Sequence, residues 1–475
     1  MKPKLEVSRD VRNVQKALRS SIALAVYLIA FQSSPVVAQS NADVQKVLER
    51  LDRIEAENRR LADEVRLLRE ELQRRTGGGE QATSATVAGS PEPVVPVGEA
   101  VAVNSARIEE MAQTKVESSQ KLPLKITGMA LFNAFMNGRN AGGVENPTTA
   151  SLTPLSAAGA TMRQTVIGLQ FQSPQTVLGA SINGSVYMDL FGGTTASLNH
   201  LLRLRVATVE LDWKNRSFLI GQDKPIVSPR EPTSLAQVGV SPLTNAGNLW
   251  LWQPQARYEE RVHFGENSGL TAQLGVFQTN EGAANIQADY VSTLDRARPA
   301  IQGRFEVWHR WSGNRRMEFA PAFHRSDSHV VGVSVPSELV SVDWLVAPVS
   351  RVEFTGMYYS GQNIANLGAL RQGFTILSDY HRGVIPVHSK GGWAQLHLAA
   401  TERLSFNIYG GQHNDRGRDL VFGGVTKNQG YFANTIYRLA PNFLISLEGG
   451  QVRTSFLNNG TRSVNHYDLA FAYLF

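Results

Sequence analysis

The sequence predicts an all-β chain: a sixteen-stranded antiparallel transmembrane β-barrel preceded by an N-terminal coiled-coil helix. Three observations carry this expectation. From Leu124 onward, run after run alternates apolar and polar residues with period two, so that side chains alternate across a strand. The connections between runs alternate between tight turns and long loops. The last stretch, Val464 to Phe475, places Tyr467, Leu469, Phe471, Tyr473 and Phe475 on one face and His466, Asp468, Ala470 and Ala472 on the other. Aromatic side chains collect where hydrocarbon meets water, and about ten tilted residues cross a bilayer.

Composition agrees. A mean hydropathy of −0.20 excludes a bundle of membrane helices, but not a barrel, because half of each strand faces water. Cysteine is absent, as suits an exported protein that needs no disulfides. Residues 1–38 read as a secretory signal. Lys2, Lys4, Arg9, Arg12, Lys16 and Arg19 form a basic start, Ile22 to Phe31 is an apolar core too short to span as a helix, and small residues place cleavage after Ala38. Removing six basic and two acidic residues with it lowers the formal net charge from +6 to +2, which gives no warrant for a nucleic-acid partner.

Residues 39–73 read as a coiled coil. Val44, Val47, Leu51, Ile54, Asn58, Leu61, Val65, Leu68 and Leu72 are spaced alternately by three and four, with charged and amide residues between them. Such a narrow seam calls for identical partner helices, and Asn58 fixes its register; the seam residues do not choose between two and three strands. Residues 74–122 read as a linker, opened by Gly77-Gly78-Gly79 and kept extended by Pro91, Pro93 and Pro96.

The barrel, 123–475, holds sixteen strand-like runs: 124–137, 162–172, 177–191, 201–213, 216–223, 254–265, 268–279, 300–311, 314–326, 329–346, 351–360, 391–400, 403–413, 428–438, 443–455 and 464–475. Pro336 interrupts the tenth. Every even-numbered connection is short and built of turn formers, such as Ser173-Pro174-Gln175, Glu266-Asn267 and Ala440-Pro441-Asn442. Most odd-numbered connections are long: 138–161, 224–253, 280–299, 361–390 and 414–427. Short turns at one end and long loops at the other are the habit of outer-membrane barrels. With an even strand count, the coil then lies on the periplasmic side of a Gram-negative outer membrane and the long loops outside. The aromatic C-terminal strand ending at Phe475 is the segment expected to meet the barrel-assembly machinery.

Several stretches resemble trimeric porins of the DcaP-like family, which is related to the phosphate-selective porins. They are Arg163-Gln164-Thr165, Leu202-Arg203-Leu204-Arg205, Leu219-Ile220-Gly221-Gln222 and Gln253-Pro254-Gln255-Ala256-Arg257-Tyr258. The resemblance implies a homotrimer passing small anions such as dicarboxylates, with a helical extension ahead of the barrel. One departure stands out: Asp223-Lys224-Pro225 follows Gln222 where the family pattern has Thr-Trp, which puts the mouth of the third loop in doubt.

Parity turns Arg203, Arg205, Arg257, Arg261, Arg304 and Arg310 into the lumen. After Ala207 the phase of the fourth run changes, which predicts a bulge. Lys224 opens the third loop, which carries Arg230, Glu231 and an apolar Leu249-Trp250-Leu251-Trp252 and is long enough to fold inward. Arg203, Arg205, Lys224, Arg257, Arg261 and Arg304 are the candidate solute path, because planar guanidinium forks suit carboxylates and phosphates. The alternative is that the arginines brace the wall against Glu210, Glu259 and Glu306. The barrel's 29 basic against 24 acidic residues tilt weakly toward anions. No nucleophile, phosphate-loop or metal-site motif is present, so neither an enzyme nor a cofactor is expected. His413-Asn414-Asp415 beside a loop reads as a solvated group. A rim enzyme, or an anchor for the coil, remains the alternative to a channel.

If the heptads assemble the protein, deleting 39–73 weakens the oligomer and leaves the barrel folded, because barrel hydrogen bonds close on themselves. Native mass measurement in detergent checks it, with a trimer expected for the whole chain and dissociation for the deletion.

Overall fold

The structure, a computed structural model, describes residues 124–193, 200–279, 299–312, 315–330, 332–370, 372–377 and 383–475. The export segment, coiled coil and linker expected over 1–122 lie outside the described residues. Along the barrel the strands are β1 (Leu124–Asn137), β2 (Ala157–Thr161), β3 (Val166–Val177), β4 (Ala180–Gly192), β5 (Leu201–Asp212), β6 (Arg216–Asp223), β7 (Gln253–His263), β8 (Ser268–Gln278), β9 (Pro299–Arg310) and β10 (Arg316–Val330). They continue as β11 (Val333–Val349), β12 (Val352–Gln362), β13 (Phe374–Ile376), β14 (Val384–Pro386), β15 (His388–Ala399), β16 (Leu404–Asp415), β17 (Val425–Ala440), β18 (Phe443–Phe456) and β19 (Gly460–Leu474).

All but β13 and β14 belong to one antiparallel sheet that closes on itself. β1 pairs with β19 from Met129↔Leu474 to Asn137↔His466. On its other edge β1 meets β2 at Asn133↔Thr161 and β3 at Met129↔Val166. These two strands share one place in the wall, so the barrel has sixteen strands, as the sequence predicts. Closure leaves no unpaired edge, the condition for a sheet in hydrocarbon.

The terminal strand bears out its parity. His466, Asp468, Ala470 and Ala472 are buried, while Tyr467, Leu469, Tyr473 and Phe475 stand exposed on the outside. The rest of the outer wall is equally apolar: Ile126, Val209, Ile220, Leu274, Val340, Ile408 and Leu447 are each more than half exposed. An apolar surface that continuous belongs in lipid.

Four departures from the expected strands have physical causes. The second run breaks at Met162–Thr165, where Thr165 N–H donates to the Met162 carbonyl and Arg163 and Gln164 turn inward. The expected bulge occurs, but its extra residue is Arg205: Tyr187 pairs with Val206 and Met188 with Leu204. The tenth run is a single strand, β11, because Pro336 lies beyond Glu338↔Gln362, the last pair with β12, and forfeits no hydrogen bond on that side. Within 361–390, expected as loop, β13 and β14 form a small hairpin.

The C-terminus seals the seam. Gly128 and Phe475 exchange backbone hydrogen bonds of 2.9 and 3.2 Å. A Cβ at Gly128 would come within 2.7 Å of the Phe475 ring, so only glycine admits it there. Phe475→Ala should lower the fraction of folded, heat-modifiable barrel in isolated outer membranes, and Gly128→Val should do the same. Normal levels in both would contradict this role for the seam.

Candidate functional site

The lumen is organised by the loop that follows β6. Residues 224–252 enter the barrel and run along its inner wall. Ile226 N–H donates to Gln302 of β9 at 3.1 Å, and the Val227 carbonyl accepts from Ser341 of β11 at 2.9 Å. Thr233 N–H donates to Gln395 of β15 at 2.6 Å. Ser234 and Gln237 donate to the Glu448 carboxylate of β18 at 2.6 and 3.0 Å. Asn133 of β1 donates to the Leu235 carbonyl at 2.9 Å, and Arg203 of β5 donates to the Gly239 carbonyl at 2.5 Å. The loop thus nearly circles the lumen before it doubles back.

Two local devices hold it. The break between β2 and β3 aims Gln164 at the loop. Its amide donates to the Ala236 carbonyl at 2.8 Å and accepts from Val238 and Gly239 N–H at 2.7 Å each, which gives the Arg163-Gln164-Thr165 stretch a physical role. On the far wall, the returning segment lies directly on backbone. A Cβ at Gly411 would collide with the Ala246 carbonyl oxygen, and one at Gly430 would stand 2.7 Å from Leu243. Residues 138–156 meet the returning segment, with Asn245 donating to Thr148 at 3.0 Å.

The candidate residues fall into three places. Arg203 and Arg205 flank one carboxylate, Asp189 of β4, at 2.5 and 3.7 Å. They belong to a stack of alternating cations and rings. Arg163 lies 4.3 Å from the Phe191 ring, Arg203 lies 5.0 Å from Phe191 and 5.1 Å from Trp252, and Arg205 lies 4.9 Å from Trp252. Each such contact contributes about 0.5–2 kcal/mol. Arg163 also pairs with Glu145 at 2.8 Å. Burial raises the Glu145 carboxyl above its ordinary value, and the charge of Arg163 offsets this only in part.

Lys224, Arg257 and Arg304 come together around a cavity of about 290 Å³, shared with Asp223, Arg230 and Glu306. Lys224 pairs with Glu231 at 2.7 Å and Arg257 with Asp223 at 3.2 Å. Arg304 grips Asp343 with two nitrogens at 2.9 Å each. Arg230 joins the same Asp343 at 2.8 Å and reaches Glu318 at 2.5 Å. Burial opposes the charge of Arg230, but its hydrogen bond to Asp343 and the fields of Asp343 and Glu318 raise its pKa above the ordinary value. Burial likewise opposes ionisation of Glu231, and the Lys224 charge with hydrogen bonds from Lys224 and Ser241 holds it below the usual carboxylate value. Arg261 stands apart, between Asp212 and Glu259. Arg310 stacks on Trp308 at 5.1 Å.

Asp189, Asp343 and Glu448 were not singled out by the sequence. Inward parity flags each of them, but nothing in the chain order ties Asp343 to Arg230 across 113 residues. The His413 reading is corrected. His413 is buried, 2.6 Å from the Tyr359 hydroxyl and 2.7 Å from Asp415, because its strand position faces the packed interior rather than the loop. Among the described residues no group of three His, Cys, Asp or Glu is placed to hold a metal.

No family model matches the chain, and no curated protein matches it. Among solved structures, the outer membrane channel DcaP of Acinetobacter baumannii superposes with a TM-score of 0.59 at 14% identity, over 74% of this chain and 97% of that one. The barrel has the fold of that channel. The anion-selective porin from Comamonas acidovorans matches with a TM-score of 0.49 at 11% identity, over 74% of this chain and 99% of its own, too distant to argue from.

Asp343 is the carboxylate on which the loop's anchor depends. Asp343→Asn removes the one carboxylate that Arg230 and Arg304 share and leaves them Glu306 and Glu318, and breaking a buried pair costs up to about 3–5 kcal/mol. The variant should become open to proteolysis within 224–252 while the strands stay protected. Unchanged cleavage would show that Arg230 does not hold the loop.

Proposed function

We propose that this chain is a passive outer-membrane channel for small anionic solutes of the dicarboxylate kind. In this reading it is a homotrimer akin to the DcaP-like porins, with its coiled coil in the periplasm and its long loops outside. The barrel and its inward loop support a channel; selectivity is argued from charge.

The carrying observation is the stack at Asp189. There Arg163, Arg203 and Arg205 share two carboxylates in ion pairs, Glu145 and Asp189, and the third acid near Arg205, Glu231, is already paired with Lys224. Elsewhere along the lumen acids match or outnumber the cations: Lys224 faces Glu231, Arg257 faces Asp223, Arg230 and Arg304 face Asp343, Glu306 and Glu318, and Arg261 faces Asp212 and Glu259. The surplus guanidinium therefore sits with Arg203 and Arg205, and Arg203 retains 27% of its side-chain exposure. A passing carboxylate meets planar donors there whose faces are already held by Phe191 and Trp252. Lys224, Arg257 and Arg261 continue the path as paired charges. Arg304, almost fully buried, braces the wall beside it.

Reversal potentials under a salt gradient test this. One surplus charge at contact distance in water is worth about 1 kcal/mol, or roughly a factor of 5 in local concentration. Arg203→Gln with Arg205→Gln removes two charges and should lower the anion-to-cation permeability ratio by more than that factor, and Asp189→Asn should raise it. The effect should fade as salt shortens the Debye length below about 8–10 Å. Cation preference in the unmodified protein would overturn the proposal.

A further inference from the structure

The outward face of β12 and β15–β19 changes character toward the long-loop end. Its apolar band stops at an edge of exposed tyrosines, Tyr358, Tyr431 and Tyr467. Beyond them one row of paired residues reads Ser360, Lys390, Asn414, Lys427, Ser455 and Thr461. Arg453 lies on β18 one step nearer the tyrosines, paired with Gln429. Their strand neighbours Ser389, His413, Asn428 and Thr454 are buried, so alternation turns this row outward.

Lys390, Lys427 and Arg453 form no ion pair among the described residues. Arg203, Arg257, Arg261 and Arg304 in the lumen have carboxylate partners, and so does the outward Arg325, which pairs with Glu338 on the neighbouring strand. Strands stand about 4.8 Å apart, which places Lys390 and Lys427 about 10 Å from each other, with Arg453 one strand further on. Beside the cations runs a ladder of amides. Gln429 donates to Gln412 at 3.0 Å and to the Tyr431 hydroxyl at 2.8 Å, and Gln451 donates to Asn465 at 2.8 Å.

We infer that this face docks a phosphorylated glycolipid of the outer leaflet. The height is that of the headgroups, just past the aromatic edge of the apolar band. Three cations without acids supply the counter-charge for headgroup phosphates, and the amides match sugar hydroxyls. The inference rests on the outer-membrane orientation proposed above, and on nothing in the lumen.

The test uses the whole protein in detergent, given lipid A that carries both phosphates or none, with bound lipid measured after washing. Conductance and heat-modifiability report folding and insertion separately, so a failure of the membrane reading shows there and not in lipid retention. Lys390→Gln, Lys427→Gln and Arg453→Gln together should weaken retention of the bisphosphorylated lipid about a hundredfold. The lipid without phosphates should be retained no better by the unmodified protein than by the variant. The charge-keeping set Lys390→Arg, Lys427→Arg and Arg453→Lys should retain the lipid. Should the triple Gln variant fail to fold, each single Gln variant should still lose retention by roughly a factor of 5. Equal retention in all variants, or equal retention of both lipids, overturns the inference. So does displacement by inorganic phosphate, which would make this a free-anion site. Dissociation of the oligomer with lipid retention unchanged would assign the face to contact between copies and overturn it as well.

Discussion

The structure depends first on backbone hydrogen bonding. In hydrocarbon every N–H and C=O must find a partner within the protein, so the sheet has to close. It does so through β1 and β19, with Phe475 completing the last rung against Gly128. Closure fixes the two environments of the wall. One side must be apolar, and the other encloses a space too wide for side chains alone to fill. The inward loop answers that second demand.

How the loop is held explains why so many charges lie inside. A long segment brought into a barrel carries its own backbone polar groups, and each needs a partner away from bulk water. Wall side chains supply them: Gln164, Gln302, Gln395 and Asn434 each bond loop backbone. Salt bridges add orientation. Asp343 fixes Arg230 of the loop and Arg304 of the wall in one constellation, so loop and wall are set by the same carboxylate. Glycines at 411 and 430 let the backbone lie flat on the far side. The stacked arginines stand where the loop returns past Trp252, and they are the place where guanidiniums outnumber acids.

Much of the wall was legible in the sequence because the two environments differ so sharply. Parity placed every outward residue of the last strand and the inward face of β7, and Glu266-Asn267 and Ala440-Pro441-Asn442 fell at strand ends; Ser173-Pro174-Gln175 did not, because β3 runs on to Val177 and the chain turns at Leu178-Gly179. Run 162–172 was misjudged because its inward turn at Arg163 and Gln164 serves a loop more than 70 residues away, and local pattern holds no trace of that. The bulge was visible as a phase change but not its position, since the extra residue is itself the inward-turned Arg205. Partner choice was illegible. Parity says that Arg203 and Asp189 both point inward, but not that two guanidiniums share that one carboxylate. His413 was misread for a related reason: nearness to a loop in the chain says nothing about what packs over it.

The central claim is that the loop after β6 sits on the inner wall and nearly circles the lumen. The chain has no cysteine, so a pair introduced as Thr233→Cys and Gln395→Cys would be unique. These two side chains already meet at 3.1 Å, with the length of the glutamine between their β-carbons, so a short bifunctional thiol reagent rather than a disulfide spans the pair. The decisive measurement is single-channel conductance of that variant, before and after cross-linking with such a reagent, in a planar bilayer. A docked loop predicts the same discrete conductance in both states. A change in conductance on cross-linking would show that the loop rests elsewhere, and would contradict this account of the lumen.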